Sequence, residues 1–340
     1  MKTKILVTGG TGYIGSHTAV ELIQQGFEVV IADNLSNSFE WIVDRIQQIT
    51  GVRPQFYNAD LTQLDQTKKI FQENPDIKGV IHFAALKAVG ESVKKPLLYY
   101  QNNINGLLNL LQVMNEYQCK CFVFSSSCTV YGQPDVLPVN EISPILPPLS
   151  PYGNTKQISE QIIQFQSDVT TLQSVILRYF NPIGAHESGL IGELPIGVPN
   201  NLIPFITQTA IGKREVLNVF GNDYQTPDGT CIRDYIHVTD IAKAHIIALE
   251  RLLQEKIETQ IEVFNLGTGK GYSVLDVIHA FEKVSHQNLN YKFVPRRDGD
   301  IEQIWADTTL ANQKLGWKAR LSLEDMVSSA WNWEQKIQDL

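Results

Sequence analysis

The chain has 340 residues, 43% hydrophobic and 19% charged, and its 28 Lys+Arg against 36 Asp+Glu leave a formal net charge of −8. At roughly 150 residues per domain, this length predicts about two domains, each large enough to bury its own core. An acidic balance without a long Lys/Arg run argues against a broad electrostatic surface for nucleic acid or anionic lipid, so any anionic ligand must be held locally.

The N-terminal MKTKILVTGG runs straight into a strand-like segment without a signal-peptide cleavage pattern, and no stretch approaches the roughly 18 apolar residues of a membrane span. A cytoplasmic protein with no membrane partner is expected. The first half then alternates β-branched runs with helical patterns: KILVTGG, a helical stretch over 13–26, EVVIAD, QFYNAD, GVIHFAA, CFVFSSS and SVILRYF. Strands separated by helices imply βαβ units and a parallel sheet covered on both faces, and the runs lack strict polar alternation, as doubly buried strands do. The expected fold class is α/β, a doubly wound parallel (Rossmann) sheet with a second, smaller α/β substrate-binding domain.

After about Phe180 the pattern breaks at Pro182, Pro195, Pro199 and Pro204, with helical patterns returning at 238–253, 273–284 and 322–337 and a strand-like EVFNLG between the first two. The expected domains are 1–181, binding a dinucleotide, and 182–340, binding the substrate, with part of 235–270 rejoining the first as an open alternative. The 4 cysteines include Cys119-x-Cys121, which lacks a second Cys or His pair at zinc spacing, and the 7 His form no H-E-x-x-H. Buried thiols and no metal site are expected.

Three groups of residues carry chemistry. Directly after the first strand, Gly9, Gly12 and Gly15 form a G-x-x-G-x-x-G spacing that opens a helix. Gly9 permits the tight turn, Gly12 lets backbone approach a pyrophosphate, Gly15 lets the helix pack on the sheet, and the helix N-terminus offers free N–H groups. Asp33 ends the second strand-like run, where a carboxylate can accept from ribose hydroxyls and repels a 2′-phosphate, so NAD is expected in preference to NADP. Asp60 closes the third run in NADLT, either facing the adenine or serving only as a turn former.

Tyr152 and Lys156 form a Tyr-x-x-x-Lys pair on one helix face, downstream of Ser127 at the C-terminal end of a central strand, where open α/β sheets build their sites. Oxidising a secondary alcohol needs a base for the hydroxyl proton as hydride leaves carbon. A Tyr with a reference pKa near 10 must shift by about 3 units, or about 4 kcal/mol, to serve as that base at neutral pH. A Lys ammonium at about 6 Å in an effective dielectric of about 20 contributes roughly 3 kcal/mol, and a neighbouring nicotinamidium charge is the expected source of the rest. Ser127 would hold the substrate oxygen, or simply cap the strand end. His82 and His237 each adjoin apolar runs and read as core or supporting imidazoles. Along the Tyr152 helix, Ile158, Ile162 and Phe165 form an apolar stripe that faces either the protein's own core or a second subunit.

Taken together, TGGTGYIGSH, HFAALKAVGES, FSSSCTVYG, SPYGNTK, RYFNPIGAH, PNNL, GNDY, DGTCIRDYIHV and PRRDGD resemble the UDP-glucose 4-epimerase family of extended short-chain dehydrogenases/reductases, from Lys4 to about Trp333. The glycine motif and the Tyr-Lys pair are common to the superfamily, whereas KAVGES and DGTxxRDYIHV are particular to the epimerases. The resemblance implies a tightly held NAD recycled within each turnover, and reversible inversion at C4 of UDP-glucose and UDP-galactose through a 4-keto sugar that turns about its bond to the diphosphate. Tyr152 would then take the 4-hydroxyl proton, and a homodimer would form through this helix and the one before it.

By the same resemblance, Tyr13, Ile14, Asp33, Asn34, Leu35, Ser36, Asn37, Ser38, Asp60, Leu61, Phe83, Ala84, Ala85, Leu86, Lys87, Asn102 and Phe180 line the cofactor, together with the glycines and the Ser127, Tyr152, Lys156 trio. The uridine diphosphate would meet Asn181, Asn201, Leu202, Asn218, Phe220, Arg233, Tyr235, Arg297 and Asp300, with Arg233 and Arg297 as cations for the diphosphate. One departure concerns the position before Trp305, which shapes the room at the sugar C2 substituent: it is Ile304, where the family has a bulky Tyr or a small Cys. Poor acceptance of N-acetylated sugars is expected, since a β-branched side chain is stiff and still fills volume.

Two rivals differ in sequence requirements. A nucleotide-sugar 4,6-dehydratase needs an extra acid and base, which those enzymes place as Asp-Glu after a strand-end Thr; here the equivalent stretch is Ser127-Cys128-Thr129-Val130, with no carboxylate. A non-catalytic NAD-binding module has no need for Ser127, Tyr152 and Lys156 together.

Overall fold

The protein is described by a computed structural model over residues 2–297 and 300–337. Asp298 and Gly299 of the PRRDGD segment, and residues 338–340 of the expected second domain, lie outside the described residues. In chain order the first half comprises β1 (Lys4–Thr8), α1 (Tyr13–Gln24), β2 (Glu28–Asp33), α2 (Ile42–Thr50), β3 (Gln55–Asn58), α3 (Leu64–Glu73), β4 (Ile77–His82), α4 (Val89–Lys94), α5 (Pro96–Glu116), β5 (Cys121–Ser127), α6 (Pro151–Val169) and β6 (Gln173–Tyr179). The second half continues with β7 (Asn181–Ile183), α7 (Leu202–Ala210), β8 (Leu217–Phe220), β9 (Ile232–Arg233), β10 (Tyr235–His237), α8 (Val238–Leu253), β11 (Ile261–Leu266), β12 (Tyr272–Ser273), α9 (Val274–Ser285), β13 (Tyr291–Val294), β14 (Gln303–Ile304) and α10 (Leu323–Lys336).

Seven strands form one parallel sheet in the order β11-β6-β5-β4-β1-β2-β3. Successive side chains of a strand point to opposite faces, and here both faces are covered. Ile5, Val7, Val29, Ile31, Val123, Val175 and Leu177 face one core with Ala19, Leu22 and Ile23 of α1 and Ile241, Leu249 and Leu252 of α8. Their neighbours Leu6, Val30, Val80, Phe122, Phe124 and Ile176 face the other, with Leu107, Leu110 and Leu111 of α5 and Ile163 of α6. This is why the runs read as continuously apolar: both halves of the alternation are core, each large side chain contributing about 1.5–3 kcal/mol.

Chain order reverses between β1 and β4, the crevice where open α/β sheets bind ligands. Register aligns the strand ends there, pairing Thr8 with His82, His82 with Phe124 and Ser127 with Tyr179. Residues 238–266 add α8, packed against α1, and β11, paired in parallel with β6 from Ile261↔Ser174 to Leu266↔Tyr179.

The remaining elements form three small sheets, β10-β7, β12-β9-β14 and β13-β8, around a separate core of α7, α9 and α10 that includes Ile206, Val219, Phe281 and Met326. Local sequence sets their limits: α9 and α10 each begin with a capping box, Ser273 with Asp276 and Ser322 with Asp325. Among the described residues, no helix is long and apolar enough to cross a membrane.

Candidate active site

The glycine loop follows β1. Gly9 has φ +70°, and a Cβ there would stand 2.7 Å from the Ala84 backbone nitrogen; one on Gly15 would collide with the Gly9 carbonyl. Helix α1 starts at Gly12 with no side-chain cap and no acidic residue in its first turn, so its leading N–H groups and positive dipole end remain available to an anion. Asp33 braces this loop, accepting from Thr11 N at 3.2 Å, Leu35 N at 2.9 Å and Ser38 Oγ at 3.0 Å. Residues 34–38 turn over the β2 end, with Ser36 N bonded to Asn34 Oδ1 and Asn37 exposed. A cradle closed to any Cβ, an open helix end and a carboxylate at the next strand fit a dinucleotide.

The other residues expected at a cofactor have diverse surroundings. Phe83 N bonds to Thr8 O, and Ala84, Ala85 and Leu86 follow half-buried. Tyr13 donates its hydroxyl to Gly184 O at 2.6 Å, and Ile14 packs on the core. Lys87 pairs with Glu193 at 3.1 Å and lies 5.8 Å from the centre of the Tyr13 ring. Phe180 is buried with its N–H bonded to Leu266 O. Asp60 accepts from both the N–H and the hydroxyl of Thr62, the turn-forming arrangement, while Leu61 is core. Asn102 donates only to its neighbour Asn103, which sequence reasoning missed: Asn103 is buried and clamps both Leu86 N and Leu86 O, at 2.8 and 3.0 Å.

Ser127, Tyr152 and Lys156 come together at the end of β5. Pro151 at the first helical position and the Ser150 cap, which accepts from Gly153 N, start α6 so that Tyr152 and Lys156 face the strand end. Lys156 donates to the Ser125 carbonyl at 2.6 Å, and its Nζ is 4.9 Å from the centre of the Phe124 ring and 5.9 Å from that of Tyr152. Ser127 accepts from Thr129 N at 3.2 Å, capping the short turn after β5, and its hydrogen bond to Tyr152 opposes the larger upward push of desolvation on that phenol. The capping reading of Ser127 is thus the one the backbone geometry displays.

Electrostatically the pair differs from the sequence expectation. Desolvation pushes Tyr152 up to about 12, where the depressed phenol of a base was expected, and pulls Lys156 down to about 8, which still leaves it largely an ammonium at neutral pH. Enclosure in a low dielectric is the largest influence on Tyr152 and outweighs the ammonium at this distance. The supporting histidines are neutral: burial lowers His82 to about 3 and His237 to about 4, with His82 Nδ1 bonded to Thr8 and His237 capping α8.

On the substrate side, β9 carries Arg233 between Tyr272 and Ile304 in register. Its charge acts on the Cys128 thiol at the β5 end, and Cys128, Phe180 and Ile304 share one apolar cluster. No carboxylate pairs with Arg233 among the described residues. Arg297 instead pairs with Asp300 at 2.7 Å and lies over Phe220, next to Asn218 on the exposed face of β8. Asn181 starts β7, Tyr235 is buried on β10, and Asn201, ahead of Leu202 at the start of α7, donates to Glu193 at 2.6 Å. Asp234, missed from sequence although it lies inside RDYIHV, is fully buried and holds the 268–269 turn and Ala306 N, fixing the β9–β14 corner. Among the described residues, no cluster of His, Cys, Asp and Glu suits a metal ion.

Known proteins fit this geometry. The sequence profile described as GDP-mannose 4,6 dehydratase matches residues 6–330. A UDP-glucose 4-epimerase of Bacillus subtilis is 52% identical over 331 residues, covering 97% of this chain and 96% of its own. The chain belongs to the UDP-glucose 4-epimerase family. Solved epimerase structures agree: that from Stenotrophomonas maltophila, with bound NAD and formylated UDP-arabinopyranose, superposes with a TM-score of 0.95 at 48% identity, covering 99% of both chains. That from Bifidobacterium longum, in complex with NAD+ and UDP, gives 0.94 at 46% identity, again over 99% of both. After the β5 end this chain carries Cys128 and Thr129, with no carboxylate.

Proposed function

We propose that the chain interconverts UDP-glucose and UDP-galactose by inversion at C4, with NAD held tightly and recycled within each turnover. The observation that carries this reading is the convergence of Ser127, Tyr152 and Lys156 at the end of β5, beside the glycine cradle and the switch of strand order. What NAD supplies when bound is reversible hydride chemistry at C4 of the sugar. Tyr152 takes the 4-hydroxyl proton and later returns it, Ser127 holds that oxygen, and Lys156 offers the nearby positive charge. NAD in preference to NADP follows from Asp33, whose anionic oxygens meet the loop where a 2′-phosphate would stand.

Inversion requires a firm grip on the nucleotide and a loose one on the sugar. Arg233 and Arg297 serve the diphosphate, with Asn181, Asn201, Leu202, Asn218, Phe220, Tyr235 and Asp300 around the uridine end. Ile304 closes the sugar pocket and disfavours N-acetylated substrates. The division into a cofactor domain over 1–181 and a substrate domain over 182–340 belongs to the same reading, with β11 extending the large sheet and α8 packing on α1 as the part of 235–270 that rejoins the first domain. So does a cytoplasmic homodimer built on α5 and α6, whose outer surfaces expose Leu97, Leu108, Phe165 and Val169.

The test is incubation of the purified protein with UDP-galactose and no added NAD. Formation of UDP-glucose without net NADH is the expected result. A 4-keto-6-deoxy product, or a strict need for external NAD, would replace the epimerase by a dehydratase or a net dehydrogenase.

A further inference from the structure

Glu160 has no part in the chemistry above, yet it occupies the position behind it. It follows Lys156 by one helical turn and Tyr152 by two, on the same face of α6. Its side chain is 12% exposed and is shared by two strands: Oε1 accepts from Ser126 Oγ at 2.5 Å and from Arg178 Nε at 3.0 Å, and Oε2 from Arg178 Nη2 at 2.6 Å. The bidentate fork fixes orientation as well as charge. Ser126, Arg178 and Asn265 are register partners across β5, β6 and β11, and Arg178 and Asn265 both bond the Tyr131 hydroxyl, at 3.1 and 2.6 Å. The residues either side of Ser126 are the ones the site uses, Ser125 through its carbonyl to Lys156 and Ser127 through its hydroxyl.

We propose that Glu160 is a positioning residue for the epimerisation, holding the charge of Lys156 and the 125–127 strand end in place through its joint grip on Ser126 and Arg178. The inference rests on the Tyr152–Lys156 reading above. The groups facing Lys156 are Tyr152 and Glu160 on α6, the Phe124 ring and Ser125 carbonyl on β5, and His82 on β4. His82 is held neutral by burial, and Tyr179 on β6 and Tyr99 on α5, which lie near Tyr152, are pushed up and stay neutral. Glu160 is thus the anion that opposes the desolvation of Lys156.

Glu160→Gln keeps the volume and an acceptor for Ser126 but removes the charge. If ammonium is the working form of Lys156, the basic limb of the kcat–pH profile moves down by about one pH unit or more, because the proton is now lost at lower pH. KM for the sugar nucleotide stays within about twofold, since Glu160 bonds Ser126 and Arg178 and neither is among the diphosphate residues. Glu160→Asp keeps the charge with a shorter reach, so its basic limb stays near the wild-type pH while kcat falls. Where Glu160→Gln leaves Arg178 too exposed electrostatically to fold, the double variant Glu160→Gln/Arg178→Met removes both charges and is expected to show a downward shift smaller than that of Glu160→Gln, because losing the Arg178 cation favours the ammonium while losing the closer Glu160 anion disfavours it. An unmoved basic limb in the Gln-containing protein, or equal displacement in Glu160→Asp and Glu160→Gln, overturns the proposal while Tyr152→Phe and Lys156→Met are inactive. Activity persisting in those two variants overturns instead the reading on which it rests.

Discussion

At the scale of single residues, the site depends on two side chains that the fold has made reluctant to ionise. Desolvation raises Tyr152 to about 12 and lowers Lys156 to about 8, so at neutral pH the phenol is held as the neutral acid beside an amine that stays largely ammonium but gives up its proton more readily than a free lysine. Tyr152→Phe removes one hydroxyl and keeps the ring that packs at the β5 end. It should lower kcat by about 10²–10⁴-fold, the usual weight of a general base, with bound NAD retained in the absorbance spectrum. Unchanged turnover would remove Tyr152 from the chemistry. Ile304 supports a second prediction. It is 1% exposed in a cluster with Cys128 and Phe180, so its volume is fixed by neighbours on both sides. UDP-N-acetylglucosamine should turn over far more slowly than UDP-glucose. Ile304→Ala should narrow that gap by about tenfold while costing about 3 kcal/mol of stability through the cavity it leaves. Equal rates on the two substrates in the unaltered protein would refute the size argument.

At the scale of elements, β1, the glycine loop and α1 behave as one unit. Gly15 is tied to the loop by contact, since any Cβ would strike the Gly9 carbonyl, whereas Gly9 is tied by its left-handed φ and by the Ala84 backbone. Gly15→Ala should therefore push α1 off the loop, costing about 1–3 kcal/mol in thermal unfolding and releasing NAD during purification. A variant that keeps both stability and cofactor would show that the close approach is not required. This unit was legible in the sequence because its signals are local: spacing, a strand before, a carboxylate at the next strand end. The Tyr152–Lys156 pair was legible for the same reason, one helix face and one strand. Asn103, Asp234, Glu160 and Arg178 were not, because each acts on backbone or charge brought near only by folding, 17 residues away for Asn103 and Leu86 and 34 for Asp234 and Thr268. Glu160 alone left a trace, at the next turn after Lys156. The raised phenol of Tyr152 was also beyond spacing rules, since enclosure depends on the whole surround. In the second half, paired strands of two to four residues such as β9, β10, β12 and β14 are too short to show any periodicity.

At the scale of the whole molecule, the helices that carry the site on their inner side are unfinished on their outer side. Ile158, Ile162, Phe165 and Val169 repeat along α6 at helical spacing; the first two are half-buried, but Phe165 is 71% and Val169 79% exposed. On α5, which packs against α6, Leu97 and Leu108 are also exposed, the former 73%. Large apolar side chains concentrated on two adjoining helices cost solubility unless covered, and the homodimer proposed above would cover them symmetrically. Each Phe165 so buried is worth about 2 kcal/mol, and a two-fold axis counts it twice, so Phe165→Glu should weaken self-association by about 4 kcal/mol or roughly a thousandfold in Kd. Because Phe165 contributes little to the protomer's own core, thermal unfolding at high dilution should change by less than about 0.5 kcal/mol. Sedimentation at micromolar protein should then give a dimer for the unaltered chain and a monomer for Phe165→Glu. A monomer in both cases would leave this face to another use, and a dimer in both would place the interface elsewhere. Since α6 also carries Tyr152, Lys156 and Glu160, a dissociated protomer should lose turnover in proportion to how far α6 relies on its partner for rigidity, and comparing kcat of the two proteins at equal bound NAD measures that reliance directly.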